Sequence, residues 1–217
     1  ITCLNLFSGC VGVYLAFQGN FQGAFIAVIV SAVFDFFDGF AARLLKAYSP
    51  MGKELDSLAD VVSFGVLPGA MVFSLLSKTS INEWFPYVAF IIPVFSGLRL
   101  AKFNIDERQT SSFIGLPTPA NAIFWGGLIL SFESFLSSYT WLLIILILLF
   151  SYLLVAEIPM FSLKFKNYAW KSNQTQYLFL IGCAVILAFF QLSAFPILIG
   201  WYIALSIGLS VFQKSKV

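Results

Sequence analysis

Residues 34–60 read FDFFDGFAARLLKAYSPMGKELDSLAD. This stretch holds Asp35, Asp38, Glu54, Asp56 and Asp60, half of the ten carboxylates in the chain. Apolar runs of membrane-spanning length flank it on both sides. Aspartates placed between such runs are costly to bury, so something must offset their charge. At about 100° per residue, Asp35 and Asp38 fall on one face of a helix, and Asp56 and Asp60, one turn apart, share another. Pro50 and Gly52 interrupt the helical pattern, so SPMG reads as a turn between two helices. The turn would bring the two aspartate pairs together. Facing carboxylates repel one another unless a cation lies between them, and hard oxygen ligands suit Mg²⁺ or Mn²⁺, one ion or two. Gly39 and Ala42 leave room for a ligand to approach the backbone. Arg43 offers a forked donor to a phosphate. Acidic metal ligands, small residues and an arginine together point to a diphosphate substrate.

The composition sets the environment. Of 217 residues, 60% are hydrophobic and only 10% charged, with mean hydropathy +0.94. Soluble domains carry about 25% charged residues, so this is an integral membrane protein. A net charge of +2 with no basic run gives no footprint for nucleic acid. The chain has no histidine, so a general base must be a carboxylate, lysine or tyrosine. Cys3, Cys10 and Cys183 lie in apolar segments without CxxC pairing and read as buried, inert thiols. The chain opens on Ile1 rather than Met, so further residues are expected to precede it. The first segment has no small-residue cleavage site of a signal peptide.

Hydropathy predicts an all-α, polytopic fold of about eight transmembrane helices, at about 3–18, 21–46, 54–77, 85–105, 119–136, 140–158, 176–191 and 195–212. Helices are required because lipid tolerates no unpaired strand edge. Alternation places Arg43, Lys46, Lys53, Arg99, Lys102, Arg108, Lys164, Lys166, Lys171, Lys214 and Lys216 on one side. Only Lys78 of the twelve basic residues falls on the other. The positive-inside rule makes the first side cytoplasmic. Both termini and the aspartates then lie on the cytoplasmic side of the cell membrane.

The spacing Asp35-x2-Asp38-Gly39-x2-Ala42-Arg43-x8-Gly52-x3-Asp56-x3-Asp60 matches without a gap the motif of the CDP-alcohol phosphotransferase family, and the chain is identified as a member of it. LDSLADVVSFGVLPG, GLRLAKFN and FIGLPTPA resemble the phosphatidylserine synthase branch, the CDP-diacylglycerol–serine O-phosphatidyltransferases. The close match spans roughly residues 2–125. Beyond that it rests on hydropathy and the Ile158-Pro159…Lys164 junction. The resemblance implies transfer of a phosphatidyl group from CDP-diacylglycerol to L-serine, giving phosphatidylserine and CMP, in a bilayer-embedded homodimer. It implies two divalent ions on Asp35, Asp38, Asp56 and Asp60, with Asp60 also the base for the serine hydroxyl. CDP-diacylglycerol would be bound by Asn5, Gly39, Ala42, Arg43, Gly52 and Lys53. Serine would meet Arg99, Asn104 and Thr118. The whole chain would form one membrane-embedded domain, with a core over about residues 1–158 and two additional C-terminal helices over about 176–212. Two other readings fit the residues: a sister enzyme using glycerol phosphate, inositol phosphate or choline, and an ion-coupled transporter with the aspartates as its ion site.

Further expectations attach to single residues. Asn5 is either a contact of the acidic site or a helix–helix hydrogen bond. Ser63 either lines the site or bonds its own helix backbone. Pro68 implies a kink. Arg99, a cation at membrane depth, faces either the protein interior or the headgroups. Glu133 reads as an extracytoplasmic loop residue, and Glu157 as an ion-pair partner of Lys164 or Lys166.

Overall fold

The computed structural model describes residues 1–46, 49–79, 82–106, 108, 113–163, 169–170 and 173–214. Among the described residues, the structure is all-α apart from one pair of two-residue strands. The helices are α1 (Thr2–Phe17), α2 (Phe21–Leu45), α3 (Pro50–Asp60), α4 (Leu67–Thr79), α5 (Ile91–Ile105), α6 (Thr118–Ser138), α7 (Thr140–Val155), α8 (Gln174–Phe190) and α9 (Ala194–Lys214). Each expected apolar segment coincides with helix to within a few residues. Among the described residues, four helical stretches are long and apolar enough to cross a membrane: Phe21–Leu45, Pro50–Thr79, Phe85–Ile105 and Gln174–Val211. Thr2–Phe17 and Thr140–Val155 are shorter apolar helices. This is the architecture of an integral membrane protein.

Local chemistry sets the helix ends. Asn20 caps α2 by accepting the Gly23 N–H at 2.9 Å, and Lys46 closes it in the left-handed region. Helix α3 begins earlier than the sequence reading placed it. Ser49 caps it, accepting the Gly52 N–H at 3.0 Å, and Pro50 takes the first helical position. SPMG is therefore a helix start, because proline at that position loses no intrahelical bond. Helices α3 and α4 run on as one rod through a π-helical turn, Val61–Val66. The turn lies just before Pro68, whose ring would clash with an i−4 carbonyl in a regular helix.

The α3–α4 rod is the centre of the packing. Phe64, Leu67, Met71, Leu75 and Leu76 are fully buried, together with Trp125 and Ile129 of α6 and Leu143 and Ile147 of α7. Helix α1 presses on the π-turn at Gly9, where an added Cβ would overlap the Ser63 side chain. At the end of the fold remote from the aspartates, Lys78 pairs with Glu133 at 3.5 Å.

Strands β1 (Phe113–Ile114) and β2 (Pro159–Met160) pair antiparallel, Phe113 opposite Met160. The Gly115 N–H donates to the Ile158 carbonyl at 2.9 Å and that of Leu116 to Leu153 at 2.8 Å. Gly115 adopts φ +79°, and a Cβ there would overlap the Leu154 carbonyl. These bonds fasten the FIGLPTPAN loop to the end of α7. The cysteines differ from expectation: all are free, but Cys3 and Cys10 are exposed and Cys183 is half-buried. In a membrane protein the apolar outer face is itself compatible with cysteine, so low polarity in the sequence did not imply burial.

Candidate active site

Helix α2 carries Asp35 and Asp38 near its C-terminal end, and α3 carries Asp56 and Asp60 one turn apart. Carboxylate oxygens of Asp35, Asp56 and Asp60 all lie within 4.8 Å of one another. Asp60 is buried. Among the described residues, no ion pair joins these carboxylates to a lysine or arginine. Three converging acceptors with no cation among them form a donor set suited to a hard divalent ion.

Asp38 stands beside this group rather than in it. Its carboxylate accepts a hydrogen bond from the Thr2 hydroxyl, while its field still reaches Asp35 and Asp56. Asn5 is fully buried, and its Nδ2 donates to Asp60 Oδ1 at 3.1 Å. The Asn5 carbonyl accepts the hydroxyls of Ser63 at 3.0 Å and Ser31 at 3.3 Å. Ser63 thus bonds a neighbouring helix, which neither expectation for it foresaw. Helix α1 is fixed at the level of Asp60, and Asn5 orients that carboxylate.

Among the described residues, two cavities open on the aspartates. The first, about 430 Å³, is lined by Thr2, Asp38, Gly39, Ala42 and Arg43 on one side and Ser49, Gly52, Lys53 and Asp56 on the other. It brings together the residues expected to bind the nucleotide, except Asn5. A Cβ added at Gly39 would meet nothing within 4 Å. Its small size therefore serves no packing contact within the described residues and leaves the cleft open.

The second cavity, about 300 Å³, is lined by Asp35, Lys53, Asp56, Ser57 and Asp60, by Arg99, Phe103 and Asn104 of α5, and by Phe113 and Thr118. All three residues expected at the acceptor lie here. Arg99 is 6% exposed, and its Nε and Nη2 have no hydrogen-bond partner among the described residues. Its guanidinium lies 4.9 Å from the Phe103 ring centre and 5.8 Å from that of Phe113. Such aromatic faces hold a desolvated cation in place. Thr118 is fully buried, and its hydroxyl is likewise unpartnered among the described residues. Asn104 is more engaged than expected: its Nδ2 donates to Ser57 Oγ at 2.8 Å, and its carbonyl accepts Lys53 Nζ at 3.2 Å. Lys53 and Asp56 line both cavities.

The other two cations of this stretch are engaged outside the second cavity. Lys102 donates to Glu157 Oε1, and Arg108 bonds Asp106 through Nε and Nη2, each at 2.8 Å. Arg108 Nη2 also reaches Glu157 Oε2 at 3.4 Å. The Lys102 hydrogen bond, with the Arg108 charge behind it, holds Glu157 below the usual carboxylate range. Hydrogen bonding to Asp106 pushes Arg108 up. Glu157 therefore pairs with α5 and the residues after it. The expected partners, Lys164 and Lys166, lie outside the described residues, as do Lys171 and Lys216. Sequence reasoning missed Thr2, Ser57, Phe103 and Phe113 as parts of the site. Only the i, i+4 spacing of Arg99 and Phe103 carried any signal for them.

The helices gather the DxxDG…D…D residues of α2 and α3 into one acidic site bordered by two cavities. Residues 1–153 match the CDP-alcohol phosphatidyltransferase family, and the chain belongs to that family. Among similar proteins is the CDP-diacylglycerol–serine O-phosphatidyltransferase of Mycobacterium leprae. It is 34% identical over 170 residues, covering 74% of this chain and 56% of that protein. The enzyme of the same name from Bacillus subtilis is 37% identical over 123 residues, 55% of this chain and 67% of that protein. That of Methanocaldococcus jannaschii is 34% identical over 140 residues, 64% and 61% respectively. The chain thus spans between about half and two thirds of the length of these relatives.

Proposed function

We propose that the chain transfers the phosphatidyl group of CDP-diacylglycerol to the hydroxyl of L-serine, forming phosphatidylserine and releasing CMP. The observation that carries this reading is Arg99. It is a buried guanidinium with two unpartnered N–H groups, opening on a cavity that also meets three carboxylates. A small acceptor bearing one carboxylate satisfies it in two places. A phosphorylated acceptor calls for more positive charge, and Lys102 and Arg108 are engaged with Glu157 and Asp106. The names of the relatives point to the same acceptor.

In this reading the CDP group occupies the first cavity against Gly39, Ala42, Arg43, Gly52 and Lys53. Asn5 contributes through Asp60 rather than by direct contact. Serine lies in the second cavity, its carboxylate on Arg99, with Thr118 and Asn104 beside its ammonium and hydroxyl. Asp35, Asp56 and Asp60, with Asp38 adjoining, would hold divalent ions, two of Mg²⁺ or Mn²⁺. Such ions neutralise a diphosphate and polarise the phosphorus under attack. Asp60 takes the proton of the serine hydroxyl as its oxygen attacks that phosphorus. The bond to the CMP oxygen breaks, and CMP leaves. Direct displacement is supported by the lack of a serine or cysteine paired with a base among the described residues lining the cavities.

The charge asymmetry supports eight crossings, a cytoplasmic site in the cell membrane and cytoplasmic termini. The whole chain is read as one domain that dimerises with a second copy. CMP release on adding CDP-diacylglycerol and serine tests the reaction, with glycerol phosphate, inositol phosphate and choline as controls. Preference for a control alcohol overturns the acceptor. No release with any of them overturns the reaction.

A further inference from the structure

Glu157 is an acidic residue that the proposed chemistry does not use, yet it engages cations at the end of α5, the helix that carries Arg99. It lies between α7 and β2, exposed, and takes Lys102 and Arg108 together. Lys102 stands three residues beyond Arg99 on α5, on the same side of the helix. Its neighbour Phe103 lines the cavity. Lys102 Nζ is also within 3.5 Å of the Val155 carbonyl. The ammonium is thus drawn toward the end of α7, where Glu157 holds it. Exposed ion pairs add little to stability. The consequence of this network therefore lies in where it leaves charge, more than in holding the fold together.

We propose that Glu157 determines acceptor specificity by withholding positive charge from the serine cavity. The inference rests on the proposed reaction. With Lys102 and Arg108 neutralised, Arg99 and the shared Lys53 are the cations left to the cavity among the described residues. That suits an acceptor with a single carboxylate. A phosphomonoester carries up to two negative charges and gains from every added cation. Released from Glu157, the flexible stem of Lys102 can swing its ammonium toward the cavity mouth. Selection against phosphorylated acceptors then comes from a missing attraction, set from outside the cavity. Glu157 is in this sense a positioning residue, acting through Lys102.

The test uses the full chain in detergent or vesicles, with glycerol 3-phosphate as probe against serine-dependent CMP release. Glu157→Gln is expected to lower the inhibition constant of glycerol 3-phosphate by about tenfold or more while the KM for serine moves less than about threefold. Glu157→Asp should restore wild-type behaviour. Adding Lys102→Gln to Glu157→Gln should abolish the gain. Lys102→Gln alone should leave inhibition at the wild-type level and serves as the second variant. A merely structural role for Glu157 would instead lower the melting temperature and weaken serine and probe alike, and that result overturns the proposal. An unchanged inhibition constant in a folded Glu157→Gln protein overturns it too. Failure of the wild-type chain to release CMP with serine refutes the proposed reaction. In that case, direct binding of glycerol 3-phosphate to the same variants still decides whether Glu157 withholds charge.

Discussion

Arg99→Lys is the substitution that separates the two cavities. Arg99 is buried, lies near two phenylalanine rings, and has Nε and Nη2 free among the described residues. A lysine keeps the charge but presents one point instead of a fork. The change removes at least one of two charge-assisted hydrogen bonds to the serine carboxylate, each contributing about 1.5–3 kcal/mol. At about 1.4 kcal/mol per decade, the KM for serine should rise between about tenfold and a hundredfold or more. Arg99 lines only the second cavity, so the KM for CDP-diacylglycerol should stay within about twofold, below the cost of one neutral hydrogen bond. The assay is CMP release, titrating serine at saturating lipid nucleotide and then the reverse. A rise in the KM for CDP-diacylglycerol with serine affinity intact would place Arg99 on the diphosphate and refute the reasoning.

Asp60→Asn should lower turnover by at least about a hundredfold, the lower end for a general base, while CDP-diacylglycerol binding persists; near-normal turnover would remove Asp60 from that role. Asp35→Ala or Asp56→Ala should abolish metal-dependent nucleotide binding, read by isothermal titration with and without Mg²⁺. EDTA should stop CMP release and added Mg²⁺ or Mn²⁺ restore it, while activity that survives exhaustive chelation would count against an ion on the aspartates. Gly39→Leu should leave the melting temperature unchanged yet raise the KM for CDP-diacylglycerol, because the side chain would enter an open cleft rather than the core. Gly115→Ala should destabilise the fold by about 1–3 kcal/mol, the usual cost of a forced backbone, with a lower melting temperature as the readout.

The helices were legible because hydropathy alone fixes which segments need lipid or core around them. The acidic cluster was legible because fixed helical spacing puts Asp56 and Asp60 on one face. Arg99 and Thr118 could be placed near the aspartates because the charge pattern located their helix ends. What remained hidden depended on which side chain meets which across different helices. No local pattern says that Asp38 turns to Thr2, and although Asn5 was expected at the acidic site, nothing local singled out Asp60 as its partner. Nor does any say that the Ser63 hydroxyl reaches the backbone of α1. The π-turn depends on packing around Pro68, and β1–β2 is too short to leave a period. Ser49-Pro50 did carry a helix-start signal, but the glycine two residues on read more strongly as a turn.

The outward-facing thiols of α1 make the chain its own topological reporter. Cys3 adjoins Thr2 at the acidic end of the fold, whereas Cys10 lies about two turns deeper along the same helix. A membrane-impermeant maleimide added to sealed vesicles of known orientation should modify Cys3 from one side only and reach Cys10 slowly or not at all. A small apolar thiol reagent should reach both. The difference in labelling rate would measure how far the acidic end stands from the hydrocarbon, with no residue replaced.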